Sequence, residues 1–449
     1  MLERDFEVEK VLELIEQKEF NELKKYLERI NGADFPSIFE EIDEEDLIIV
    51  FRLLDKEKAA EIFAELDADL QERLINSFSD VELKNVVNKL FIDDTVDMIE
   101  EMPSNVVKRV LRAVSDEDRK IINEILNYPE DSAGSIMTTE FIDLKDDMTV
   151  EQAFNKIKKI GLTTETVYNC YVVNKNRKLL GVIDIKDLLV AERDQKVVEL
   201  IDPDIIAVTT LDDREDVAKA FDKYDYVALP VVDKEERLVG IITVDDAIDV
   251  MIEETSEDFE KMAAISPNED GYYKTTVVEH AKNRIFWLLF LMFSSIVTGA
   301  VITHYEQAFA ALPLLVSFIP MIMGTGGNCG SQSSTLVIRG LAVDEIKSKD
   351  FFKVWWKEIR VAVIVGVIMA LVNAVRIFIQ YHDIQLGVVV GLTLIVTIML
   401  SKSIGCMLPL ICKKLKLDPA IMAAPLISTI LDTCSVLVFF NIAVAIMHI

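Results

Sequence analysis

Apolar residues recur along this chain at three different periods, and each period predicts a different kind of element. Between residues 42 and 122 the spacing is 12. Ile42, Leu54, Leu66, Phe78, Leu90, Met102 and Val114 form one apolar set, and Val50, Ile62, Leu74, Val86, Met98, Val110 and Ile122 form a second. Further on, short runs with period-two alternation recur 59 residues apart. From Ile285 to the end the apolar runs become long enough to cross a bilayer.

A cap-type residue follows the first apolar set at Asp43, Asp55, Asp67, Ser79 and Ser115, with the register slipping at Asp93 and Ser104. A cap followed by one short apolar-faced helix cannot bury that face alone. The pattern therefore predicts an all-α solenoid of stacked short helices over residues 1–130, which by itself is equally compatible with a spacer.

In the second region Tyr171-Val172-Val173-Asn174 is echoed by Pro230-Val231-Val232-Asp233. Gly181-Val182-Ile183-Asp184 is echoed by Gly240-Ile241-Ile242-Thr243, and Asp187 by Asp246. Each copy reads strand, turn, strand, helix. The pair resembles a tandem CBS module, with copies at 137–199 and 200–253. Such α/β modules often bind adenosine nucleotides, which makes ATP a candidate ligand and Asp187 a candidate contact. The first copy carries Asp184 where the module usually has Thr.

Residues 245–282 then read as an acidic connecting helix, helical in pattern mostly from Asp245 to Ile265. Its carboxylates are scarcely relieved by Lys or Arg, and like charges at i, i+4 repel. Such a helix prefers a bound cation or a basic partner, although a solvated face is the simpler reading.

Five membrane spans are expected in residues 285–449: Ile285–His304, Phe309–Ile338, Val354–Tyr381, Leu386–Ile411 and Pro419–Ile446. The loops between spans two and three, and between four and five, carry the Lys and Arg residues. By the positive-inside rule these loops and the N-terminal domains are cytoplasmic, and the C-terminus lies outside. No signal-peptide pattern opens the chain. A multi-pass protein of the cell (plasma) membrane is expected.

Charge sharpens this division. The formal net charge is −30. Residues 1–284 carry −33 of it and residues 285–449 carry +3. The front repels nucleic acid and attracts cations, divalent ones most. Five cysteines without paired spacing argue for a reduced compartment, and four scattered histidines argue against a His/Cys metal site.

Asp432 is the acid set deepest in any span. A carboxylate there costs at least ~2.5–3.5 kcal/mol and by default marks a function. Ser428, Thr429 and Ser435 share its helical face. Lys402 and Arg376 are the other charges deep in the spans, and a salt bridge from either one to Asp432 is the structural alternative. Span two holds Pro320-Met-Ile-Met-Gly-Thr-Gly-Gly-Asn-Cys-Gly-Ser-Gln-Ser-Ser334. Its glycines fit irregular backbone lining a cavity, or close helix packing. Packing alone does not account for Asn328 and Gln332.

The Pro320–Ser334 segment, Asp418-Pro419-Ala420, Pro425 and Ser428-Thr429-x-x-Asp432 together resemble the signature of the MgtE family of magnesium channels. So does the domain order, over essentially the whole chain. Ala424, Leu431 and Ser435 depart from residues common in that family.

The resemblance implies a homodimer with a pore on its twofold axis, Asp432 holding a hydrated Mg²⁺, and Asn328, Ser428, Thr429 and Ser435 lining the path. It also implies regulatory Mg²⁺ bound by Glu61, Asp93, Asp97, Glu215, Asp225, Asp246, Asp249, Glu254, Glu257, Asp258 and Asp418, which close the pore through a plug helix. It implies a transporter rather than an enzyme. Other expectations remain open: a membrane-tethered cation or nucleotide sensor, a CBS-regulated anion channel, or a carrier of Mn²⁺ or Co²⁺.

Overall fold

The 12-residue repeat folds as a run of short helices because the backbone turns extended at most repeats before the next helix starts; Asp43 and Asp55 stand at such starts without a side-chain cap bond, and Asp93 and Ser104 lie within their helices. A computed structural model describes residues 2–268, 271–306, 312–422 and 424–448. Its first part contains α1 (Leu2–Glu16), α2 (Phe20–Leu27), α3 (Phe35–Glu41), α4 (Glu44–Leu53), α5 (Lys56–Ala64), α6 (Ala68–Ser77), α7 (Asp80–Val87), α8 (Ile92–Glu101), α9 (Ser104–Ala113) and α10 (Asp118–Ile125).

Ile42, Leu54, Phe78, Met102 and Val114 are the residues at which one helix ends and the backbone turns extended. Asp67 accepts from the Leu70 amide at 2.9 Å, and Ser79 forms a reciprocal box with Glu82. These bonds satisfy amides that have no partner within the helix. All of the second apolar set is buried.

The 59-residue repeat gives two small sheets of identical topology. The first contains β1 (Ile142–Lys145), β2 (Asn169–Val173) and β3 (Leu179–Asp184). The second contains β4 (Val208–Thr209), β5 (Ala228–Val232) and β6 (Leu238–Thr243). In each the first two strands are parallel and the last two antiparallel. The flanking helices are α11 (Val150–Ile160), α12 (Ile185–Val190), α13 (Arg214–Tyr224) and α14 (Val244–Met262). Arg177 and Glu236 both adopt left-handed backbone, at φ 63° and 64°, in the turns that precede β3 and β6. The helical stack does not stand apart from this pair. Its core runs on through Ala133 and Met137 into Val217, Phe221, Leu229 and Ile242 of the second copy.

The connecting helix is shorter than its sequence suggests. α14 stops at Met262, and Ala264 takes φ 55°. The next helix starts only at Val277, capped by Thr276, so residues 245–282 are not one helix. This helix, α15 (Val277–His304), begins eight residues before the expected span. There follow α16 (Ile319–Ala342), α17 (Phe351–Tyr381), α18 (Ile384–Lys414) and α19 (Ala424–Met447). The expected start of span two, Phe309, lies outside the described residues.

Among the described residues four helices are long and apolar enough to cross a membrane: Val277–His304, Ser348–Tyr381, Ile384–Lys414 and Pro425–Met447. α16, the expected second span, has the length, at 24 residues, but is not among them. Its glycines, amides and hydroxyls dilute the apolar content.

α16 is also unbroken, and no glycine among the described residues has positive φ. Its glycines serve packing rather than irregular backbone. A side chain on Gly405 of α18 would strike the Gly330 carbonyl, so the two backbones touch. Close backbone approach through small residues holds helices together where no hydrophobic drive exists.

Adding bulk at this contact should separate α16 from α18. Gly405→Val is expected to lower stability by about 1–3 kcal/mol, read as a lowered thermal midpoint of the purified protein in detergent.

Candidate functional site

Asp432 sits on α19, half-buried, and no hydrogen bond or ion pair reaches its carboxylate among the described residues. The deep membrane cations are engaged elsewhere. Lys402, 5% exposed, donates to Glu358 at 3.2 Å and to Ser333 at 3.0 Å. Arg376 donates to Asn373 at 3.0 Å and lies over the Phe318 ring. The salt-bridge explanation for Asp432 is thereby removed. An unpaired acid in a membrane helix needs water or a cation.

α16 passes directly alongside. A side chain on Gly326 would press on Ser435 Oγ, one on Gly327 would come within 3.2 Å of Ser428 Oγ, and one on Gly330 would strike Leu431. Asn328 is therefore level with Asp432. Pro320, Gly324, Asn328, Gln332 and Thr335 stay exposed, spaced along one face of α16, with Leu336 and Arg339 exposed beyond them. From Gly324 to Thr335 that face is polar and open, and a lipid tail cannot satisfy it.

Thr429 donates to the Pro425 carbonyl at 3.0 Å, leaving its oxygen lone pairs to accept or ligate. Ser428 is partly exposed, but Ser435 is only 1% exposed and its hydroxyl has no partner among the described residues. Ser435 faces the helix-packed interior against Gly326 rather than the open face.

Just before α19 begins, Asp418 accepts from the Ala420 amide at 2.8 Å and pairs with Lys261 at 2.8 Å. Lys261 also pairs with Glu257 at 2.6 Å. Burial alone would lower the Lys261 pKa, but Asp418 and Glu257 outweigh it and raise the pKa. In this structure a side-chain ammonium joins two of the carboxylates expected to bind metal.

In the residue 1–251 unit, acids converge where α8 meets the second CBS copy. Asp93 is buried, and its pKa is raised well above normal by burial, then by Asp246, Asp94, Glu165 and Glu140. Burial is also the leading cause for Glu165, pushed up to about 8, and for Asp94 and Asp246, each pushed up to about 6. Thr243 donates to Asp246 and Thr138 donates to Glu140. These bonds offset only part of the desolvation.

The other expected regulatory residues lie more openly. Glu61 is exposed beside Gly32, Glu215 pairs with Lys219 at 2.6 Å, Asp225 ends α13 in left-handed backbone, and Asp249 lies exposed on α14. Asp97, Glu254 and Asp258 interact with neighbours. Asp187 is partly buried at the start of α12. Among the described residues no three acidic, His or Cys side chains are close enough to hold a metal ion unaided.

Residues 319–442 match the family profile of the MgtE divalent cation transporters. Residues 30–131 match the MgtE intracellular N domain, and 133–194 and 197–253 match CBS domains. Magnesium transporter MgtE of Bacillus subtilis is 32% identical over 439 residues, covering 98% of this chain and 97% of that protein. The chain belongs to the MgtE family.

Magnesium transporter MgtE of Thermus thermophilus is 34% identical over 72% of each chain. Among solved structures, the soluble part of a magnesium transporter matches with a TM-score of 0.52 and 28% identity, covering 56% of this chain and 99% of that one. The cytosolic domain of the Mg²⁺ channel MgtE in complex with ATP matches with a TM-score of 0.52 and 32% identity, covering 54% and 99%. MgtE proteins are transporters, not enzymes.

Sequence reasoning missed Glu358, Ser333, Lys261, Asp94, Glu140 and Glu165. Asp94 adjoins Asp93 and could have been grouped with it. Glu165 lies between α11 and β2 and carries no periodic signal.

The crowded acids give a pH dependence of definite sign. Their folded pKa values lie above the unfolded ones, so the protonated forms support folding. Their contribution to stability is full below about pH 4 and is lost as pH rises through about 6 and then about 8. With divalent ions chelated, the circular-dichroism melting midpoint should fall from about pH 5.5 to about pH 8.5. Asp93→Asn should flatten that fall.

Proposed function

We propose that this MgtE-family protein is a homodimeric Mg²⁺ channel that admits Mg²⁺ to the cytoplasm down its electrochemical gradient. The observation that carries the proposal is Asp432, unpaired on α19 while Lys402 and Arg376 are engaged elsewhere. The relatives named as magnesium transporters supply the ion.

One carboxylate per chain is a poor divalent site. Two, facing each other across a dimer axis, make a divalent site. The open polar face of α16, with Asn328 level with the acid, supports the same axis: a second copy would cover it and leave a wet path between. Ser428 and Thr429 lie on the α19 side of that path.

Mg²⁺ sheds water reluctantly and keeps several waters when bound. Asp432 therefore holds a hydrated ion, and selectivity rests on pore width and water contacts. A divalent ion gains about 4.6 kcal/mol per 100 mV on entering a negative cytosol, twice the single-charge figure. On this reading α16 makes a fifth crossing, the N-terminal domains are cytoplasmic and the C-terminus is outside.

Closure follows from the acidic front. Without Mg²⁺ the carboxylates around Asp93 and Asp246 repel. Bound cations bridge them, together with Glu61, Asp97, Glu215, Asp225, Asp249, Glu254, Glu257, Asp258 and Asp418, and the closed state wins by differential binding. The connecting helix α14 acts as the plug. ATP is a candidate ligand of the CBS pair, since a matching cytosolic domain was solved with it. Asp187 is the candidate contact, whereas its counterpart Asp246 faces the N-domain acids.

Two measurements test this reading. Proteoliposomes loaded with a Mg²⁺-sensitive dye should show uptake with the wild type and at least about a tenfold loss with Asp432→Ala, the size expected for removing the pore's charged ligand. Equal uptake by the two would sink the channel proposal, and competition by Mn²⁺, Co²⁺ or Ca²⁺ ranks the alternatives. Neutralising Asp249, Glu254 and Glu257 together should leave the channel open at millimolar internal Mg²⁺. Unchanged inhibition in patch recordings would refute the proposed gate.

A further inference from the structure

The mechanism leaves one buried charged group unused. Lys402 of α18, Glu358 of α17 and Ser333 of α16 form a closed ring. Lys402 Nζ donates to Ser333 Oγ at 3.0 Å and to Glu358 Oε2 at 3.2 Å, and Ser333 Oγ donates to the same Glu358 oxygen at 2.6 Å. Lys402 and Ser333 are 5% and 0% exposed, and the side chain of Glu358 is 12% exposed. Burying both charges costs several kcal/mol per ion, and packed apolar residues often serve stability as well. The ring is a costly way to hold three helices together, but it is a directional one.

We infer that Lys402 and Glu358 are positioning residues for the ion path: through Ser333 they fix the rotation of α16, so that Asn328 faces the same opening as Asp432. The inference rests on the reading that α16 lines that path.

Helical geometry makes the link specific. Ser333 lies five residues from Asn328, about 140° around the helix. The ring grips the buried side of α16 while the polar stripe from Gly324 to Thr335 stays open. The neighbouring contacts are glycines, at Gly326 and Gly330, which permit close approach without fixing an angle. Next to them Ser401, Thr397 and Ser435 are buried hydroxyls with no hydrogen-bond partner among the described residues, so they pack against α16 without a directional bond. A hydrogen bond to a charged group fixes direction where a glycine contact lets the helix turn.

Ser333→Ala separates this role from folding, because it frees α16 while leaving the Lys402–Glu358 pair in place. The variant should assemble with a melting midpoint lowered by no more than a few degrees. Its half-saturating Mg²⁺ for dye-reported uptake should rise about 3- to 10-fold, about the net size of a hydrogen bond, as the two bonds of Ser333 are lost. Mg²⁺ should also compete less well with Na⁺, and Ser333→Thr should restore both.

A second readout needs no transport. With the native cysteines replaced, Asn328→Cys supplies a single thiol on the open face. Its rate of modification by a membrane-impermeant thiol reagent should change when Ser333→Ala is added. Lys402→Met with Glu358→Met keeps volume, removes both charges, and should shift that rate the same way. Wild-type half-saturation together with an unchanged modification rate at position 328 would overturn the inference. Absence of uptake in the wild type would instead remove the channel reading, with the thiol rates still deciding whether α16 is held.

Discussion

The cost of an unpaired charge in hydrocarbon organises the membrane half of this protein. Lys402 and Glu358 neutralise each other, with Ser333 closing the remaining valence. Arg376 leans on an amide and an aromatic face. Once those charges are settled, Asp432 remains without a partner, at the level where α16 presents Asn328 on its open side. The helix packing follows the same constraint. Glycines bring α16 against α18 and α19 on one side, and polar groups are set on the other.

The residue 1–251 unit works under the opposite condition. Water screens its exposed acids, and most of them need no explanation. The exception lies where α8 meets the second CBS copy. There Asp93, Asp94, Glu140, Glu165 and Asp246 share a partly dry space, and burial raises the pKa of each. The apolar core runs continuously through the same junction. Packing pulls the two domains together where charge pushes them apart.

Much of this was legible in the residues. The caps at Asp67 and Ser79 marked helix starts, and the 59-residue echo gave both sheets, down to the matched left-handed turns at Arg177 and Glu236. Asp432 stood out on burial cost alone. The parts that escaped depend on contacts across the sequence. Glu358 sits among Lys353, Lys357 and Arg360 near a helix start, where it reads as a loop charge. Only the fold shows it reaching Lys402, 44 residues away. The unbroken course of α16 was hidden because its glycines look helix-breaking until their neighbours are known. The end of α14 at Met262 left no mark, since Ala264 is an ordinary residue in an uncommon conformation.

That break decides how the connecting helix is mechanically coupled to the spans. A continuous rod from Val244 to His304 would carry torque, and any rotation of α14 would twist α15 with it. The chain instead turns at Ala264, and the Ser266 amide binds back to the Asn283 carbonyl at 3.0 Å. Twist is lost at this joint. Lys261 of α14 also holds Asp418 at the foot of α19. In the proposed gate this ion pair is a latch rather than a drive shaft, and it sits at the foot of the helix that carries Asp432.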